Sequence, residues 1–473
     1  MQIFITLLAA FFTTMSLLPT AVLAQVSQQQ SSYFKLTESD SQPDLNQLKF
    51  DLNSYQYVVS EGDNAKQESA VSLAYEYSHS TVSSRSKIDF AVHAQSGLSQ
   101  QLDVTAPEIY YKYKNTIHSF GFGRQYTRPS GAEATFNLGL IHPYFTQDYL
   151  QYTSQGLTGF EYEVAQDQYS FLMGYYPIYL PNQEPLVKIE QGKALPQNRW
   201  SRRPPAQFVF NNQIKDINYS VNSYDMQKIV NNPSFRLVSS YKFATTNPSQ
   251  VQLGYKYGPL PQLVIDRQTY ADLDATGNVN FLPAVNYSNT FQFDYTLGLN
   301  QWGVQLSALY DRPEQLNANQ GRSLQKLSPM DVQSIKVAYQ LRSQDELSQS
   351  VYVAYALIKG GSITDLNDDG SENIFTFTKY RQQYFKPFKV GVELSYYAFF
   401  TRPQTSQFEW IYDQVQKGSV LSFQQRFEII RALNLKLGMD ILGVETGVQQ
   451  NDDHFINKYK SNDRFYSGLN YAY

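Results

Sequence analysis

Charged residues that could act on a passing solute are concentrated in two stretches of the chain. Residues 128–154 contain Glu133 and Asp148. Residues 182–213 contain a set of basic residues: Lys188, Lys193, Arg199, Arg202 and Arg203. Basic side chains on the wall of a water-filled channel attract anions, and carboxylates opposite them create a field across the channel. The alternative for the basic set is a solvated loop whose charges pair with Glu184 and Glu190.

Two further arginines lie in stretches that alternate between apolar and polar residues, where they could belong to a channel wall. Arg124 follows Phe120-Gly121-Phe122-Gly123, and Arg236 lies between Phe235 and Leu237. We expect them to attract the acidic residues of the 128–154 stretch. The residues predicted to form a pore constriction are Arg124, Glu133, Asp148, Arg199, Arg202, Arg203 and Arg236.

The segment 365–370 fits the first half of a calcium-binding loop. Asp365, Asn367 and Asp369 place oxygen ligands at alternate positions, and Gly370 follows where such a loop turns sharply. The twelfth position carries Thr376 instead of the usual bidentate glutamate. Asp-Gly clusters also occur in hairpin turns without any ion. The sequence predicts no cofactor apart from this possible structural Ca²⁺.

The sequence has few residues in patterns that would indicate catalysis or nucleic-acid binding. The chain has no cysteine, and none of its five histidines lies in a local nucleophile motif. A net charge of −4 provides no basic surface for nucleic acid. We therefore expect a protein that is not an enzyme and has no nucleic acid partner.

The elements that must position these residues are strands. The row Phe291, Phe293, Tyr295, Leu297 and Leu299 alternates with Gln292, Asp294, Thr296 and Gly298, and about eighteen such rows follow one another. Some rows carry charges in the middle of the strand: Arg236, Lys256, Asp294, Glu393, Arg426 and Lys436. Many aromatics with a mean hydropathy of only −0.44 are typical of a barrel with a wet interior. The prediction is an all-β fold, a transmembrane antiparallel β-barrel of about 16–18 strands.

The last strand carries the most specific signal in the chain. Phe465, Leu469, Tyr471 and Tyr473 lie on one face, and the chain stops on the aromatic Tyr473. This ending resembles the terminal strand of Gram-negative outer-membrane β-barrel proteins. The resemblance implies that these four residues form the signal recognised by the barrel-assembly machinery, and that lipid and lipopolysaccharide surround the protein.

The stretch from Phe120 to Tyr126, the long loop after it, and Gly156-Leu157-Thr158-Gly159 together resemble the general bacterial porins. In that family the third extracellular loop folds into the barrel and narrows it. The resemblance implies a channel for passive diffusion of small hydrophilic solutes, and a trimer is compatible with it. The alternatives are a barrel that exports or binds polysaccharide and, less favoured, an outer-membrane hydrolase.

The N-terminal residues divide the chain into three parts. Residues 1–24 have the apolar stretch and small-residue cleavage site of a secretory signal peptide. Residues 25–45 form a polar segment, and residues 46–473 form the barrel. We expect an integral protein of the outer membrane, exported through the cleaved signal.

Overall fold

The computed structural model describes fifteen ranges of the chain: 45–59, 67–96, 100–185, 187–201, 204–210, 212–221, 226–245, 247–271, 277–316, 323–342, 348–365, 379–397, 402–430, 432–447 and 451–473. The predicted signal peptide and nearly all of the polar segment 25–45 lie outside these residues. None of the helices in the described ranges has the length and apolarity needed to cross a bilayer.

The strands of the barrel are β1 (Leu45–Tyr57), β2 (Gln67–Ser80), β3 (Ser84–Ser96), β4 (Gln100–Lys114), β5 (His118–Gln125), β8 (Leu157–Ala165), β9 (Tyr169–Ile178), β14 (Ser234–Phe243), β15 (Ser249–Pro259), β18 (Tyr287–Leu299), β19 (Trp302–Pro313), β21 (Met330–Arg342), β22 (Ser348–Gly360), β24 (Pro387–Tyr397), β25 (Pro403–Asp413), β26 (Gly418–Ile430), β27 (Leu433–Val444) and β28 (Arg464–Ala472). Each is antiparallel to its neighbours, and β1 pairs with both β2 and β28. The barrel is therefore closed, and its 18 strands confirm the predicted fold and strand number.

The remaining strands lie in the connections: β6 (Tyr144–Asp148), β7 (Gln151–Ser154), β10 (Val187–Glu190), β11 (Lys193–Pro196), β12 (Gln207–Phe210), β13 (Gln213–Val221), β16 (Val264–Ala271), β17 (Gly277–Ala284), β20 (Ser323–Leu327) and β23 (Ile363–Asp365). The helices are α1 (Gly131–Phe136), α2 (Met226–Val230) and α3 (Phe455–Tyr459). β6 pairs with β7 and β10 with β11, while the last six strands form a separate sheet in the order β12-β13-β17-β16-β20-β23. All of these elements belong to connections that start from one end of the barrel, and the connections at the other end are short.

The outward rows of the barrel are apolar and exposed. Phe122, Leu253 and Phe465 are 61%, 53% and 57% exposed, a pattern that a bilayer stabilises and bulk water does not. Aromatic rings pack side by side near both ends of these rows, in pairs that include Trp302 with Tyr339 at the short-turn end and Tyr257 with Tyr287 at the other end. Two aromatic girdles on an apolar belt are the signature of a transmembrane barrel.

Tyr473 tests the role of the last strand in barrel closure. Its backbone N–H donates to Leu48 O at 2.9 Å, and the Leu48 N–H donates to Tyr473 O at 2.9 Å, while the ring is 83% exposed. We expect Tyr473→Asp to lower the yield of folded barrel, because it places a charge where the strand presents an aromatic side chain. The folded fraction is measured by the gel mobility of unheated and boiled samples. An unchanged folded fraction would contradict the prediction that the terminal aromatic residue is part of the assembly signal.

Candidate pore constriction

The segment between β5 and β8 leaves the wall and enters the barrel. Ser130 caps α1 by accepting a hydrogen bond from the Ala132 N–H, and its hydroxyl donates to Asp294 Oδ1 at 3.1 Å. The Gly131 N–H donates to the same carboxylate oxygen at 2.7 Å. Asp294 lies on the inward row of β18, so the helix is fixed to the inner wall at its first turn. The Ser130-x-x-Glu133 spacing, a known helix-start pattern, is a sequence signal for this helix.

Glu133 organises the segment from within. Its Oε1 accepts hydrogen bonds from the N–H groups of Leu140, Ile141 and His142 at 2.8 to 3.0 Å. Burial alone would raise the pKa of Glu133, but the His142 side chain and these backbone donors outweigh it and hold the pKa below its usual value. The carboxylate is thus used to fold its own segment and does not face Arg124 across open water.

Arg236 projects from the inward row of β14 and holds the start of the segment. Its guanidinium donates to Thr127 O at 2.7 Å and to Arg128 O at 2.5 Å. Its Nη1 also lies 3.2 Å from Nε2 of His142. Arg236 is only 1% exposed, so this predicted constriction residue meets the segment directly and not a solute.

Two lysines of the inner wall bind backbone carbonyls further along. Lys256 Nζ donates to Ile141 O at 2.9 Å, and Lys389 Nζ donates to Thr135 O at 3.1 Å. Lys256 lies on β15 and Lys389 on β24, which are separated by β18, β19, β21 and β22. The segment therefore spans a wide arc of the barrel interior.

Apolar packing supports the same placement. The buried side chains of the segment form one cluster with the inner faces of β19, β21 and β22: Ala132, Phe136, Leu140, Ile141, Leu309, Met330, Val332, Ala338, Tyr352, Ala354, Ala356 and Ile358. Removing this apolar surface from water favours the inward position.

Asp148 ends the crossing at the far wall. Its carboxylate lies 3.1 Å from Nη2 of Arg464, whose Nε donates to Asp440 at 2.7 Å. The guanidinium carbon of Arg464 also lies 4.6 Å from the Tyr55 ring centroid and 5.6 Å from that of Trp200. Arg464 is 2% exposed, and the opposing carboxylates hold its charge. Sequence reasoning missed Arg464, which is 316 residues from Asp148 and carries no local signal.

The hairpin of β6 and β7 separates two cavities inside the barrel. The first has a volume of about 320 Å³ and is lined on the wall side by Asp51, His93 and Lys436. The second, of about 370 Å³, is lined by Glu393, Arg426 and other polar residues. Gln151 at the start of β7 borders both cavities.

The charges that remain beside these cavities belong to the wall. Arg426 and Lys436 are direct cross-strand partners on the inward rows of β26 and β27. Neither forms an ion pair with a described residue. Glu393 lies on the inward row of β24 and accepts a hydrogen bond from Gln407 at 3.5 Å. Glu393 and Arg426 lie on β24 and β26, which only β25 separates, so the wall presents both signs of charge close together at the second cavity.

The other predicted constriction residues lie elsewhere. The register of β5 puts Arg124 in the outward row with Phe122, and its Nε donates to Gly156 O at 3.1 Å. Arg199 is 6% exposed and donates to Val59 O and Ser461 O, at 2.9 and 2.7 Å. Neither side chain lines the two cavities. Arg124 points outward, and the guanidinium of Arg199 is bound to backbone carbonyls.

Arg202, Arg203, Asn367 and Asp369 lie outside the described residues. Asp365 is buried and forms an ion pair with Arg267, which joins two strands of the separate sheet. The Asp365 carboxylate therefore already has a cationic partner, and the calcium site stays a prediction.

Known proteins were compared with this chain by sequence and by structure. No family model matches the chain, and no curated protein matches it either. Among solved structures it is similar to OccD3 of Pseudomonas aeruginosa, with 10% identity, a TM-score of 0.42, and 90% of this chain and 91% of that chain covered. It is also similar to OprD, an outer membrane protein from Pseudomonas aeruginosa, with 11% identity, a TM-score of 0.37, and coverage of 90% and 92%.

Salmonella typhi OmpF, solved in complex with daunomycin, is similar at 10% identity and a TM-score of 0.37, with 92% of this chain and 99% of that chain covered. The expectation of a transmembrane antiparallel β-barrel of about 16–18 strands is confirmed by the closed barrel of 18 strands.

His142 makes the packed segment sensitive to acid. Burial lowers the pKa of His142 from 6.5 to about 4, although Glu133 opposes the shift. As pH falls from 6.5 towards 4, the unfolded chain takes up a proton that the folded chain does not, so stability is lost across this window. We expect this residue to cost about 2 to 3 kcal/mol of unfolding free energy between pH 7.5 and 4.5. His142→Gln keeps a hydrogen-bond acceptor for Arg236 but has no imidazole to protonate. Between the two pH values its unfolding free energy should therefore fall by about 2 to 3 kcal/mol less than that of the wild type.

The measurement is urea unfolding in detergent at the two pH values. His118→Gln is the matched control, because His118 lies exposed near the short-turn end of β5. Equal acid sensitivity of wild type and His142→Gln would contradict the assignment.

Proposed function

We propose that the protein is an outer-membrane channel for passive diffusion of small hydrophilic solutes, narrowed by the inward segment 126–156. The observation that carries the proposal is the position of the β6–β7 hairpin between two polar cavities within one closed barrel. A solute that moves along the barrel axis must pass this hairpin.

The dimensions of the barrel support a diffusion channel. The lumen of an 18-stranded barrel is too wide for wall side chains to fill, so something else must narrow it. We propose that the inward segment narrows the barrel and does not close it, which is supported by the cavities of about 320 and 370 Å³ that remain beside it. Their linings of amide, hydroxyl and charged groups suit hydrated solutes.

The charges support weak selectivity set by the wall. Glu133 and Asp148 were expected to supply the acidic side of a transverse field, but both are engaged by other groups of the protein. Glu393 and Arg426 border the second cavity and supply the two signs of charge there. We propose that these wall residues, and not the acids of the segment, bias the passage of ions.

The proposal also includes location and partners. The apolar belt suits an outer-membrane bilayer, with lipopolysaccharide around the long-loop end and barrel-assembly machinery acting on the last strand. A trimer is compatible with these features. The absence of enzymatic activity and the cleaved signal peptide stay predictions.

Deletion of residues 132–147 tests the constriction. The deletion removes α1 after Gly131 and the part of the packed cluster that the segment contributes, so we expect a larger single-channel conductance and faster swelling of liposomes in larger sugars. The matched control is a shortened β12–β13 hairpin, whose Val209 and Ile214 are both 70% exposed. Unchanged conductance in a folded deletion variant would place the constriction elsewhere.

Opposite changes at two wall residues test the selectivity. Arg426→Gln removes a positive charge, so the reversal potential in a KCl gradient should shift towards cation selectivity. Glu393→Gln should shift it towards anions. Lys188→Gln serves as control, because Lys188 is exposed and pairs with Glu190 outside the barrel wall. Shifts of the same sign in both variants, or none in either, would refute wall control.

A further inference from the structure

The connection between β9 and β14 contacts the β6–β7 hairpin through hydrogen bonds and aromatic packing. We call its residues 182–184 and 198–201 the strap. A parallel bridge joins Gln183 to Phe145, with the Thr146 N–H donating to Gln183 O and the Gln183 N–H donating to Tyr144 O, both at 2.9 Å. The strap thus extends the hairpin as a third strand at one point.

Glu184 ties two tyrosines of the hairpin together. The Tyr144 hydroxyl donates to its Oε1 at 2.6 Å, and the Tyr149 hydroxyl donates to its Oε2 at 2.9 Å. One carboxylate therefore bridges the beginning of β6 and the turn after it. Hydrogen bonds from neutral donors to a carboxylate are stronger than those between neutral groups.

The second part of the strap holds the turn from the other side. Asn198 donates to Gln147 O at 2.9 Å, and Trp200 packs edge-on against Tyr149 with ring centroids 6.4 Å apart. Trp200 is fully buried, and its carbonyl accepts a hydrogen bond from Tyr459 at 3.1 Å.

The strap itself is fixed to the rim of the barrel. The Asn182 N–H donates to Pro261 O at 2.7 Å, beyond the end of β15. Arg199 binds the carbonyls of Val59 and Ser461, next to β1 and β28. The strap therefore has independent supports on two sides of the barrel and can restrain the hairpin between them.

We propose that the strap sets the width of the pore by restraining the β6–β7 hairpin, with Glu184 as its main positioning residue. The proposal rests on the constriction described under the proposed function. Without the strap, the hairpin keeps Arg464 at its end but loses the contacts that fix its lateral position. The consequence is a pore whose width fluctuates.

The test is single-channel recording of Glu184→Ala in the full-length barrel. We expect about a hundredfold rise in the frequency of conductance fluctuations, because Glu184 accepts two hydrogen bonds and the loss of each one corresponds to about tenfold. The mean conductance should also be higher. Tyr144→Phe with Tyr149→Phe, which deletes only the two hydroxyls, should reproduce this result. Combining them with Glu184→Ala should add little, since all act through one carboxylate.

Glu190→Gln is the matched control, because it removes a carboxylate from the same connection whose partner is the exposed Lys188. Fluctuations that rise equally in Glu190→Gln would overturn the proposal, as would an unchanged recording of folded Glu184→Ala and of the double tyrosine variant. In the 132–147 deletion, Glu184→Ala should change nothing further, and a full effect there would also overturn the strap. The deletion alone tests the constriction, so the two failures are distinguishable.

Discussion

The arrangement inside the barrel depends on one constraint, which is that cations buried on the inner wall must find partners. Arg236 and Lys256 form no ion pair with a described residue, and both are almost fully buried. Burying a charge without compensation costs several kcal/mol. Here the compensation comes from carbonyl groups of the segment that crosses the lumen. The buried cations and the segment therefore stabilise each other: the segment supplies hydrogen-bond acceptors, and the cations fix its position inside the barrel.

This exchange explains why the acidic residues of the segment do not act on solutes. Glu133 satisfies three backbone N–H groups that the tight fold of the segment would leave unpaired. Asp148 neutralises Arg464 together with Asp440. The charges free to meet a solute are those of the wall beside the hairpin. Under the proposed function, structure and selectivity use different sets of charged residues.

The alternation of residues was enough to predict the barrel, its outer face and the approximate number of strands, because a period of two determines which face a side chain takes. The expected inward position of Arg124 conflicts with the same rule, because Arg124 lies two residues after Phe122 and so shares its outward row. Glu133 and Arg464 were beyond sequence reasoning for another reason. Their partners depend on how the connection 126–156 folds in three dimensions, and only the Ser130-x-x-Glu133 pattern indicates part of that fold.

The most direct test of the account asks whether α1 lies against the inner wall in the folded protein. The chain has no cysteine, so Gly131→Cys combined with Ser307→Cys supplies the only pair. A Cβ placed on Gly131 would lie 2.6 Å from Oγ of Ser307 and 2.2 Å from Nε2 of Gln305, so a disulfide can form once the flexible Gln305 side chain moves aside. We expect the folded barrel to form this bond on mild oxidation, which a change in gel mobility that reductant reverses would show. A folded double variant that keeps two free thiols would contradict it.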